Sequence, residues 1–133
     1  MLYEEYCDLI KKLNKNNIDN NVFFTNIIPD LSIHDYVNRI IKYCLNNNEV
    51  EIQYKPWVLK CSYNIIQYMS DIINNNNIYN IIITTITISS KYILDEHYTN
   101  LFYSKVGGIN LFILNKYEIK ILEIIKWEIF IFS

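Results

Sequence analysis

The chain has 133 residues, 51% apolar and 20% charged, with a formal net charge of −2; that is enough for one domain around a single core, and too apolar for a disordered chain. Arg39 is the only arginine, so the basic, arginine-bearing stripe of a nucleic-acid binder is missing and that partner is not expected. Cys7, Cys44 and Cys61 lie far apart, with no CxxC and no Cys/His pair at ligand spacing, so neither a metal site nor a cofactor is expected.

The opening MLYEEYCDLIKKLNK is acidic and amphipathic rather than an apolar export segment. An intracellular protein, nuclear or cytoplasmic, with reduced thiols is therefore expected. Leu2, Tyr6, Leu9, Ile10 and Leu13 recur at helical spacing, which predicts a short helix over residues 2 to 14. The Asn-rich NKNNIDNN that follows reads as a linker. In PDLSIHDYVNRIIKYCL, Ser32 with Asp35 three residues on is a capping signature, and Ile33, Tyr36, Val37, Ile40, Ile41 and Cys44 form one apolar stripe.

NNNEVEIQYKP reads as a loop, with Pro56 in the first turn of the next helix. Trp57, Cys61, Ile65, Tyr68 and Ile72 continue that helix until the Asn74 to Asn77 tract. Residues 72 to 90 carry no charge, but the asparagines interrupt them. A membrane span needs about 20 mostly apolar residues, so none is expected. From Ile78 to Asp95 the β-branched content favours a strand. The length, the absence of glycine and proline, and an isoleucine usage typical of AT-rich codons favour a buried helix, which is the reading adopted. A short helix over Glu96 to Lys105 and a last one over Lys116 to Phe130, capped by Asn115 with Glu118 at the third position, complete an all-α bundle.

Gly107 and Gly108 are the only glycines. A phosphate loop needs G-x-x-x-x-G-K-[ST] after a strand, whereas here Lys105 precedes the glycines and no Ser/Thr follows in place. They read instead as a structural turn, one supplying a positive φ and the other a tight reversal. His34 and His97 are isolated, and Asp95 with Glu96 is a single acidic pair. No catalytic constellation emerges.

The run SKYILDEHYTNLFYSKVGGINLFILNKYEIKILEIIKWEIF resembles the third to fifth helices of a cyclin box, and within that family the PHO-type (P/U-type) cyclins. The matching positions are Ser90, Lys91, Tyr92, Asp95, Asn100, Tyr103, Lys105 to Ile109, Leu114, Asn115, Glu118, Leu122 and Trp127. Upstream, SIHDYVNRIIKY is similar to the family's first helix, and the likeness covers about residues 27 to 132. It implies an all-α cyclin-box five-helix bundle with an additional N-terminal helix. The expected division is an N-terminal helix and linker, 1–24, before a single box, 25–133.

The resemblance further implies a heterodimer with a cyclin-dependent protein kinase, which the chain activates by packing on the kinase C-helix, having no catalysis of its own. Lys91 and Glu118 match the two polar anchors of the kinase contact, and Ile88, Tyr92, Leu122 and Ile129 match its apolar surface. Each has a plainer reading. Lys91 can snorkel from a buried helix, Glu118 can be the capping partner of Asn115, and the apolar four can be core. Many cyclins bury an Arg–Asp pair between their first two helices; Arg39 is the candidate arginine, with Gln67 at the matching position. The substrate-docking patch of cell-cycle cyclins is not recognisable, since Lys42 interrupts it. The competing function is a helical adaptor that uses the same fold without activating a kinase.

Overall fold

The computed structural model describes residues 3–13 and 30–133, so the expected linker NKNNIDNN lies outside the described residues. Among those described there are six α-helices and no strand: α1 (Tyr3–Leu13), α2 (Ile33–Cys44), α3 (Glu49–Tyr68), α4 (Ile78–Ile93), α5 (Asn100–Gly107) and α6 (Leu111–Ile124). Short 3₁₀ turns at Ser70–Ile72 and Ile129–Phe132 follow α3 and α6.

The ambiguous isoleucine segment is the helix α4, and it is the axis of the bundle. Every residue from Asn80 to Ser90 is buried, with α2, α3, α5 and α6 packed around it. A helix in that place needs no polar face, so β-branched residues cost it little. Its threonine hydroxyls are satisfied internally: Thr84, Thr85 and Thr87 donate to the carbonyls of Asn80, Ile81 and Ile83 at 2.6, 2.8 and 2.8 Å. Thr85 also meets Ser62 of α3 at 2.8 Å, and Ser62 meets Tyr6 of α1 at 2.7 Å. That buried hydroxyl chain ties the N-terminal helix to the bundle.

α2 begins as the sequence indicates, with Ser32 Oγ accepting from Asp35 N at 3.1 Å. α3 does not. It starts at Glu49, seven residues before Pro56, which lies inside the helix. Asn48 Oδ1 accepts from Glu51 N at 2.8 Å, while Glu51 reaches back to Asn47 N at 2.9 Å. Tyr98 donates to the same carboxylate at 2.6 Å. With Asn48 Nδ2 at 3.1 Å as its third donor, this buried carboxylate fixes the helix start more strongly than the proline preference. The Ile52 carbonyl, deprived of the proline N–H, belongs to an exposed turn where water can reach it.

The two glycines answer different needs. Gly108 takes φ 62° and ψ 32°, where α5 ends. Ile109 N bonds Ser104 O at 3.0 Å and Gly108 N bonds Lys105 O at 3.3 Å, the paired bonds of a Schellman turn. Gly107 is still helical; a Cβ there would sit 2.6 Å from Ile83 Cγ1, so it lets α5 approach α4 rather than reverse the chain. From α2, Tyr36 donates to Gly107 O at 2.6 Å and Arg39 Nε to Val106 O at 2.8 Å. Arg39 therefore caps the carbonyl end of α5. It does not pair with Gln67, which is exposed on α3.

Candidate functional site

On α4, Ile88, Lys91 and Tyr92 are spaced by three and four residues and share a face; Glu118 and Leu122 do the same on α6. The two faces meet. Ile88, Lys91, Tyr92, Glu118, Leu122 and Ile129, together with Trp127, line one surface groove of about 230 Å³. Ile88 and Leu122 are its buried floor, while Tyr92 and Trp127 stand half-exposed or more on its rim.

Lys91 and Glu118 form the polar centre. Lys91 Nζ lies 2.8 Å from Glu118 Oε2 and 3.2 Å from Oε1. Asn100 Nδ2 donates to Oε1 at 2.9 Å. Neither plain reading of these two residues holds. α6 begins at Leu111 with Asn110 as its cap, accepting from Phe112 N at 2.8 Å, so Asn115 and Glu118 sit in mid-helix. Lys91 is not a free snorkelling chain but is held by Glu118. The pair keeps spare capacity: an ammonium has three donors and a carboxylate about four acceptor sites. Lys91 is about a third exposed and Glu118 less, so both can take further hydrogen bonds from a partner.

Trp127 was not legible as part of the groove. On a helix continued to Phe130, nine residues from Glu118 would turn it about 180° away. Instead α6 ends at Ile124. Trp127 N bonds Leu122 O at 2.8 Å and Lys126 N bonds Glu123 O at 3.1 Å, a second Schellman turn. Lys126 and Trp127 take φ 57° and 59°, and the turn folds the indole back over the groove. The remaining chain returns to α3, where Asn64 Nδ2 donates to Phe132 O at 3.1 Å and Tyr68 meets the Phe132 ring edge-on. Trp57 and Tyr68, which share the periodic pattern of α3 with Cys61 and Ile65, are exposed. Trp57 and Tyr54 line a second depression that shares Tyr92 with the groove.

No helix among the described residues is long and apolar enough to cross a membrane, and no three metal-ligating side chains cluster there. The profile of the cyclin family matches residues 6–129. The chain belongs to the cyclin family. It is 33% identical over 110 residues to the PHO85 cyclin-like protein psl1 of Schizosaccharomyces pombe, covering 83% of this chain and 44% of that protein. To PHO85 cyclin-7 of Saccharomyces cerevisiae it is 28% identical over 118 residues, 82% of this chain and 41% of the relative. To Cyclin-U2-1 of Arabidopsis thaliana it is 31% identical over 108 residues, 81% and 47% of the two chains. These relatives make it a PHO-type cyclin, and it spans less than half of their lengths.

Proposed function

We propose that this cyclin is a regulatory subunit that binds a cyclin-dependent kinase of the PHO85 type through the α4–α6 groove and activates it. The observation that carries the reading is the convergence of Ile88, Lys91, Tyr92, Glu118, Leu122 and Ile129 on that groove. An apolar floor suits the apolar face of a kinase C-helix, and the ion pair at its centre offers donors and acceptors to the backbone at the end of that helix. Docking there holds the C-helix inward and completes the kinase Lys–Glu pair that positions ATP. In the proposal the box, 25–133, supplies this surface, and α1 packs on it without lining the groove.

Co-purification with a panel of cyclin-dependent kinases, and phosphorylation measured with and without the chain, tests it. Binding with stimulated phosphorylation is expected. Binding without stimulation would favour the adaptor, and no binding would remove the kinase reading.

A further inference from the structure

Asn100 opens α5 directly after its cap, Thr99, but its carboxamide serves α6. Nδ2 donates to Asn115 Oδ1 at 2.8 Å and to Glu118 Oε1 at 2.9 Å. A carboxamide nitrogen carries two hydrogens, so both are used and the orientation of the group is fixed. Turned over, it would set its own oxygen against the Glu118 carboxylate, which only accepts. Glu118 is thereby gripped from two helices: Oε1 by Asn100 and Lys91, Oε2 by Lys91.

We infer that Asn100, which does not line the groove, is a positioning residue that holds the Glu118 carboxylate in its binding geometry. The inference rests on the kinase reading and deepens it. A glutamate side chain has three rotatable bonds, and ordering it before the partner arrives lowers the entropic cost of association. Asn100 contributes to binding through Glu118 and not by touching the partner.

Asn100→Ala should weaken binding of the cognate kinase about tenfold, which corresponds to about 1.4 kcal/mol. Asn100→Asp should weaken it further, because it faces the carboxylate with like charge. The decisive measurement is a double-mutant cycle with Glu118→Ala. If Asn100 acts through Glu118, Asn100→Ala changes affinity less than about twofold in the Glu118→Ala background. A tenfold loss that persists there overturns the inference and leaves Asn100 a general support of α5. The same cycle read by urea unfolding of the free chain needs no partner: coupled effects are expected, and additive ones overturn the inference. If the wild-type chain binds no kinase, the kinase reading fails on its own, and the unfolding cycle still decides whether Asn100 holds Glu118.

Discussion

Lys91 and Glu118, 27 positions apart in sequence, are each other's ion-pair partner at 2.8 Å. The pairing makes a charge exchange informative. Lys91→Glu with Glu118→Lys keeps an attractive pair across α4 and α6 and reverses only what the groove shows to a partner. The carboxamides of Asn100 and Asn115 can turn over to suit the new charges. The double variant should lie within about 1 kcal/mol of wild type in stability, while either single change places like charges together and costs about 2 kcal/mol. Kinase binding by the double variant should fall by about 2–5 kcal/mol. Chemical denaturation and calorimetric titration read the two quantities, and unimpaired binding would place the contact elsewhere.

Gly107 and Gly108 should respond to alanine for different reasons. At Gly107 the added methyl meets Ile83, a buried β-branched residue that cannot move aside, with atoms at 2.6 and 3.0 Å. Overpacking of this kind costs about 1–3 kcal/mol, only partly offset by the better helix propensity of alanine. At Gly108 there is open space but a left-handed backbone, so alanine costs about 1 kcal/mol. Ile83→Ala should therefore relieve Gly107→Ala and leave Gly108→Ala unchanged. A thermal-shift comparison of the two double variants with the singles checks this.

Lys126 occupies a left-handed position that glycine fills in α5, and it does so at φ 57°. Lys126→Gly should stabilise the chain by about 0.5–1 kcal/mol by removing that strain. Trp127→Ala, by contrast, should change stability little, since the indole is largely exposed, and should weaken kinase binding by about 1–2 kcal/mol as an aromatic rim contact is lost. In a Trp57→Phe background, the remaining indole emission should shift to the blue when kinase is added. An unchanged spectrum would separate Trp127 from the interface.

Stability should fall at alkaline pH. Burial pushes the Cys44 thiol from 9.0 up to about 12 and the Tyr103 hydroxyl from 10.0 up to about 12. Burial also raises Tyr6 and Tyr36. These groups stay protonated in the fold while the unfolded chain releases its protons, so the folded state binds more protons above about pH 9. The stabilisation is whole below that pH and is lost as pH rises towards 12, by about 1.4 kcal/mol per pH unit for each group released. Urea midpoints from pH 7 to 11 should decline, less steeply in Tyr103→Phe. A flat profile would contradict the burial of these groups. The same burial should leave Cys44 unreactive towards thiol reagents until the chain unfolds.

Several features were legible because their signals are local. The Ser32 cap acts over three residues, the α2 stripe repeats every three or four, and the spacing of Ile88 with Lys91 and Tyr92 fixes a shared helix face whatever lies opposite. The motif around Lys91 and Glu118 led to the groove. Where the reading of the chain departed from the structure, a distant contact had overridden a local preference. Asn48 and Tyr98 anchor Glu51 and start α3 ahead of Pro56. The return of Phe132 to α3 accompanies the early end of α6.

By itself, the sequence determined the helical class, most of the helices, the family, and a set of side chains that meet in one groove. Periodicity, capping chemistry and a long motif all lie along the chain. Only the tertiary structure decided that Glu118 answers to Lys91 and Asn100 instead of capping its own helix, and that Trp127 swings over the groove. Only it decided that Gly107 is small for the sake of Ile83. Those outcomes depend on atoms tens of residues apart arriving within about 3 Å of one another, and hydrogen bonding and close packing act at that range in space irrespective of separation along the chain.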